Sequence, residues 1–332
     1  MDELERRIRI ANPRAVRRDS PLSERAEADL GSLIASPGMR TESIAIRSRP
    51  RYVRTLLGAM VAALVVGVLI VTGNVIHEPS ASAAGLPLLE ETPVDGTTPE
   101  IIDRMIMASR ANPAVKALPK RRISYETWSA NITVGEDSTV DVFVQPQEIE
   151  RVWSDDLSGE IVTRAGAVTM GEQPSGAPSY APGDVVDKSS FARGEYPVLF
   201  PEPPPSTAAD LRVYLAGVLG LTEVSTAGEW FKAIQDLRTD WPLTSAQNEA
   251  ILTLIKTLPD VTVAGTVTDR IGRPGIALQT ETRAGGKFRD LLIFDSYTGL
   301  LNSAEDVYLG GLDDIDLPAM TVLNYTAWKA VE

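Results

Sequence analysis

From Thr55 to Ile76 the chain reads TLLGAMVAALVVGVLIVTGNVI, 22 residues without a formal charge. No other stretch limits the architecture so severely. As a helix it spans about 33 Å at about 1.5 Å per residue, enough for a hydrocarbon core of about 30 Å. A helix of that length on a globular domain needs a polar stripe where it meets water. Here the polar side chains are Thr55, Thr72 and Asn74, all near the ends. Arg47, Arg49, Arg51 and Arg54 stand just before the run with Tyr52 among them, and His77 and Glu78 follow it. Arginine crowded on one flank places that flank in the cytoplasm. The expectation is a single-pass cell-membrane protein: a cytoplasmic tail over 1–54, a transmembrane helix over 55–76, and an extracytoplasmic remainder. The alternative is a cleaved secretory signal with Ala81-Ser82-Ala83 as the cleavage site. Signal peptides carry apolar cores of about 7–15 residues near the start of a chain, so the length and late position of this run favour a retained anchor.

Charge separates the two sides. Residues 1–54 carry 12 Arg against 8 acidic residues, whereas 77–332 carry 20 Lys and Arg against 37 Asp and Glu. An outer part so acidic repels nucleic acid and anionic headgroups, so neither is expected as its ligand. The chain has no cysteine and one histidine, His77. That removes disulfide frameworks, zinc-finger spacings, a cysteine nucleophile and a Ser-His-Asp triad. No cofactor, metal or catalytic group is expected, and an enzyme is the least favoured class.

Inside, Leu22, Ala26, Leu30, Leu33 and Ile34 share one face of a helix expected from about Pro21 to Ala35, with Ser20 placed to cap it. A shorter charged helix over Asp2–Ile10 stops at Asn12-Pro13. The five-residue stripe has no core of its own to cover it. Two readings stand: a docking helix that orders on a cytoplasmic partner, or a frayed juxtamembrane tail whose arginines hold lipid headgroups.

Outside, 77–97 is rich in Pro, Ser, Ala and Gly and is expected to be a linker. A helix follows from Thr98 to about Ser109, then strands over Arg122–Val134, Val140–Val144, Ile149–Ser154 and Glu160–Met170. Residues 171–205 are expected to be loop. Helices are expected over Ser206–Gly217, Ser225–Leu237 and Ser245–Leu258, and strands over Val261–Thr268, Gly275–Arg283, Lys287–Phe294, Leu300–Leu309 and Met320–Val331. About nine strands and four helices joined by hairpins make an α+β domain over 98–332 around one large antiparallel sheet. Trp128, Trp153, Trp230, Trp241 and Trp328 are candidates for its core, or some of them for the lining of an apolar cavity between sheet and helices. Asp269, Arg270, Arg273 and Asp295 flank turns, where carboxylates accept backbone hydrogen bonds. Asp313, Asp314 and Asp316 lack the spacing of a calcium loop, and the adjacent Asp155 and Asp156 are expected to point apart.

Leu258-Pro259-Asp260-Val261-Thr262-Val263, Gly265-Thr266-Val267-Thr268-Asp269, Gly272-Arg273-Pro274-Gly275 and Leu292-Ile293-Phe294-Asp295 with Thr298-Gly299-Leu300 together resemble an uncharacterised actinobacterial family of single-pass membrane proteins. Glu150-Arg151-Val152-Trp153 with Gly159 and Glu160 is a weaker second patch, and Ser296 departs from the proline the family commonly has there. The resemblance implies a cytoplasmic tail, one membrane helix and an extracytoplasmic domain, often encoded near extracytoplasmic-function sigma factors. The layout also resembles the half-barrels of LolA and RseB, which hold lipids or sense envelope stress. Two functions follow as expectations. One is a membrane-anchored sensory or binding module regulating a cytoplasmic transcription factor such as a sigma factor. The other is a tethered lipid or lipoprotein carrier, whose hydrophobic ligand needs an apolar cavity of roughly several hundred Å³.

Overall fold

The computed structural model describes residues 86–111, 121–129, 131–134, 140–169, 178–311 and 318–329, all within one unit spanning Val61–Glu332. The expected tail helix with Leu22, Ala26, Leu30, Leu33 and Ile34, the apolar run 55–76 and the acidic loop with Asp313, Asp314 and Asp316 lie outside the described residues. Among the described residues no helix is long and apolar enough to cross a membrane.

Four α-helices are described: α1 (Thr98–Ala111), α2 (Ala208–Leu219), α3 (Ala227–Asp240) and α4 (Ser245–Lys256). Each starts where a side chain can satisfy the free N–H groups of a first turn. Thr207, one residue beyond the expected start at Ser206, caps α2 by accepting from Asp210 N. Thr226, one residue beyond the expected Ser225, opens α3 with a reciprocal capping box to Glu229, and Thr244 does the same for α4 with Gln247.

Eleven strands are described: β1 (Arg121–Ser129), β2 (Asn131–Val134), β3 (Val140–Phe143), β4 (Gln147–Trp153), β5 (Gly159–Ala165), β6 (Val185–Phe191), β7 (Thr262–Thr268), β8 (Pro274–Thr280), β9 (Phe288–Phe294), β10 (Leu301–Tyr308) and β11 (Thr321–Trp328). Nine form one antiparallel sheet in the order β6-β5-β4-β1-β11-β10-β9-β8-β7. The first and last strands are thus neighbours at its middle, with Tyr125 opposite Trp328.

Three expectations need correction. The strand expected over Arg122–Val134 is two strands, because β1 is held in the large sheet while β2 pairs with β3 in a separate two-stranded ribbon. The register nevertheless continues in step across the break, from Thr127 opposite Gln147 to Asn131 opposite Phe143. The strand expected to reach Met170 ends at Ala165, where Gly166 approaches Pro146 so closely that a Cβ would lie 2.9 Å from its carbonyl oxygen. Finally, residues 185–191, expected to be loop, form edge strand β6. Its sequence VVDKSSF has no alternation, because an outermost strand whose side chains stay largely in water has little to bury.

All four helices pack on one face of the sheet. Ile123, Tyr125, Trp153, Leu278, Leu292, Phe294 and Trp328 meet Ile101, Leu211, Phe231, Ile234, Ile251 and Ile255 there. The opposite face carries a second apolar cluster with Trp128, Ala277, Leu291, Ile293, Val307, Val322, Tyr325 and Ala327. Strands β8, β9 and β11 are therefore buried on both faces, which is why Leu291-Leu292-Ile293-Phe294 is a continuous apolar run.

Candidate functional site

Two regions combine apolar surface with committed polar groups, one on each face of the sheet.

On the face away from the helices, the expected linker does not stand clear of the domain. Leu86 and Leu89 pack against the second apolar cluster. Thr92 pairs with edge strand β7 through Thr92 N to Thr266 O at 2.9 Å and Thr266 N to Thr92 O at 2.8 Å. Arg104 on α1 donates to Asp95 O at 2.8 Å and secures the strap's far end. Hollows of about 180 and 410 Å³ border this strap, and Leu88 and Leu89 line both. The smaller one is completed by Glu91, Arg289, Leu291, Glu305 and Val307. Glu305 is buried in its floor and receives two hydrogen bonds from Arg270, at 2.8 and 2.9 Å. Burial pushes this carboxyl above its ordinary range, and Arg270 opposes that shift. The groove thus offers leucine-sized apolar surface, neutralised acid and a strand edge, a combination that holds an extended peptide segment.

The strap depends on Gly265. A Cβ there would stand 2.5 Å from Thr92 O, and its φ of +154° is one that other residues rarely adopt. Gly265→Ala is expected to detach residues 86–92. Hydrogen exchange should show Thr92 and Thr266 amides losing protection while β9, β10 and β11 keep theirs. An unchanged Thr92 amide would count against the close approach.

On the helix face, the C-terminus of α3 grips β4. Arg151 and Asp240 form an ion pair at 2.9 Å with side chains 11% and 5% exposed. Arg151 also donates to Tyr196 Oη, Thr239 O and Pro197 O. Asp240 accepts from Leu199 N at 2.7 Å and Phe200 N at 3.1 Å. Burial pushes the Asp240 carboxyl up, against the pull of Arg151 and those N–H groups. Burial alone would lower Arg151, but Asp240 and the neighbouring tyrosines carry it well above its ordinary value. Beside this pair the Arg121 guanidinium lies 4.2 Å from the Trp153 ring centroid and 4.3 Å from that of Trp241, while bonding Asp155. Cations over aromatic faces are favoured when shielded from water. Asp156 turns instead to Ser158, so the two adjacent carboxylates do point apart.

The turn residues behave as their positions imply. Asp269 accepts from Ile271 N and Arg273 N, and Arg273 returns a forked ion pair to it. Asp295 accepts from Tyr297 N, Thr298 N and Thr298 Oγ1. All five tryptophans are buried, at 0–7% exposure. Trp153, Trp230, Trp241 and Trp328 fill the space between sheet and helices, in which a lipid carrier would need an opening, whereas Trp128 packs in the cluster on the other face.

Nothing in local sequence links Arg151 to Asp240, because they lie in different elements far apart along the chain. The one available signal was the patch Glu150–Trp153, which contributes both Arg151 and Trp153. The strap was hidden by composition, since prolines and small residues read as a linker whether or not its leucines are docked.

No family model matches the chain, and no curated protein matches it. Among solved structures, a LolA superfamily protein from Nitrosomonas europaea aligns with 71% of this chain and 92% of its own, at 9% sequence identity and a TM-score of 0.15. Two backbones at that score superpose poorly.

Proposed function

We propose that this chain is a membrane-anchored extracytoplasmic binding or sensory module, whose cytoplasmic tail engages a transcription regulator such as a sigma factor. The observation carrying this reading is the strap. The segment leading out of the apolar run 55–76 is bound along a groove of the sheet through Leu86, Leu89 and Thr92, so a ligand competing for that groove would act directly on the tether. Only 77–85 separate the run from the strap, and nine residues reach at most about 32 Å. The tethered carrier is the weaker alternative, because the helix face is packed by Trp153, Trp241, Phe200 and Phe231, each at most 7% exposed.

The test uses the full chain in its membrane. A sigma factor recovered with the wild type should be lost when Leu30 and Ile34 are both changed to Asp, with membrane insertion intact. Each buried Leu or Ile in such a docking helix is worth about 1.5–3 kcal/mol. Equal recovery of that sigma factor with the double variant, or none with the wild type, would remove the signalling half of the proposal. Sidedness is checked separately: a reporter active only outside the cell should work when fused at Glu332 and fail when fused at Arg40.

A further inference from the structure

The N-terminal half of α3 rests on a group of buried charges that the reading above does not use. Asp290 on β9 and Asp306 on β10 are direct cross-strand partners, 3% and 7% exposed. Arg283, in the turn between β8 and β9, sends forked hydrogen bonds to Asp290 at 2.6 and 2.8 Å, and its Nη2 lies 3.7 Å from Asp306. Its guanidinium also stacks 4.3 Å from the centroid of Phe288, which in turn meets Tyr308. From β11, Asn324 donates to Asp306 at 2.9 Å. From α3 come Asp236 and Lys232, the latter donating to Gln235. Three carboxyls are therefore enclosed with one guanidinium and one ammonium.

The helix comes down onto this group without clearance. A Cβ at Gly228 would stand 2.6 Å from Asp290 Oδ2 and 2.8 Å from Arg283 Cβ. Gly228 N donates to Thr282 Oγ1 at 3.0 Å in the same turn. Asp290 and Asp306 stand opposite each other across the strand pair, with the single Arg283 guanidinium reaching both. Two buried carboxylates so placed repel unless one of them holds a proton, because the medium around them screens poorly.

We propose that this group is a proton-operated clamp. A proton on Asp290, donated to Asp306, lets Arg283 and the first turns of α3 close over β9 and β10, and its loss loosens that end of the helix. The other end of α3 stays fixed to β4 by the Arg151–Asp240 pair, so the response is confined to the turns next to Gly228. Burial and the neighbouring Asp306 push the Asp290 carboxyl up to about 6, against the pull of Arg283, in keeping with this arrangement.

The clamp is tested by hydrogen exchange on the full-length chain in neutral-lipid nanodiscs, near pH 5 and near pH 7.5, after correction for intrinsic exchange rates. Amides of the first half of α3 should be protected roughly tenfold more at the lower pH, one pH unit below the midpoint. Asp290→Asn, which keeps the hydrogen-bonding shape without the charge, should give the protected behaviour at both pH values. Asp306→Asn should also remove the difference. Wild-type protection that is equal at both pH values overturns the clamp, as does a full difference retained in both variants. Should neither variant fold, the wild type decides by infrared spectroscopy. A protonated-carboxyl band that grows as pH falls through about 6 supports the clamp, and its absence near pH 5 overturns it. None of these outcomes depends on the sigma-factor experiment.

Discussion

Replacing Asp240 with alanine is expected to cost about 3–5 kcal/mol, the usual penalty for leaving one half of a buried ion pair behind. The loss is more than one contact. Arg151 would keep its positive charge at 11% side-chain exposure with only Tyr196 Oη and two carbonyl oxygens around it. Leu199 N and Phe200 N would lose their acceptor in the same step. Arg151→Ala should be similarly severe, since it strands the carboxylate. The double variant Arg151→Met with Asp240→Leu should be less destabilised than either alanine variant, because no unpaired charge remains. Denaturant unfolding of the full chain, followed by tryptophan emission, measures all three. A cost below about 1 kcal/mol for Asp240→Ala would mean that water reaches the pair, and the grip of α3 on β4 would need another explanation.

The second large effect concerns pH and runs opposite to ordinary acid denaturation. Burial pushes the carboxyls of Asp236, Asp240, Asp290 and Glu305 upward. A carboxyl whose folded pKa exceeds its unfolded one binds its proton more readily when folded. Stability therefore rises as pH falls through the folded value, until the unfolded chain is protonated too. For Asp290 the window runs from about 6 down to the ordinary 3.8. Between pH 7.5 and pH 5 this one group contributes about 1.4 kcal/mol. For a domain of this size that raises the melting temperature by about 3–6 °C, and the upward shifts of the other three act in the same direction. Glu100 and Asp156, lowered by hydrogen bonds from Thr97 and Ser158, act in the opposite sense but are fully exposed. Calorimetry showing a melting temperature that falls steadily from pH 7.5 to pH 5 would contradict this account.

The elements with a local cause were the legible ones. The helix starts expected at Ser225 and Ser245 fall within two residues of those observed, where Thr226 with Glu229 and Thr244 with Gln247 close capping boxes over a span of three residues. The hairpin turns at Asp269–Arg273 and Asp295–Gly299 announce themselves by carboxylates that bond the next few N–H groups. What escaped depends on partners distant in sequence. Strand β6 gave no alternation because it buries little. Arg283, Asp290 and Asp306 show no motif, since only sheet register brings them together. The leucines of the strap are indistinguishable in sequence from those of a free linker. Sequence also left open whether the five tryptophans lined a cavity or filled a core, a question of helix placement that their spacing does not determine.

The pairing of β1 with β11 at the middle of the sheet bears on how such a chain is made. Tyr125 and Trp328 are partners, and Lys329 N donates to Ser124 O at 2.8 Å. Until residues near 328 have been synthesised, β1-β4-β5-β6 and β7-β8-β9-β10 are two separate half-sheets whose inner edges, β1 and β10, are unpaired. Contacts so distant in sequence close slowly. During that interval the exposed strand edges are available to other chains. A chain that lacks its last strand therefore has no complete core to lock. The same arrangement makes that interval the period in which the protein most needs a chaperone.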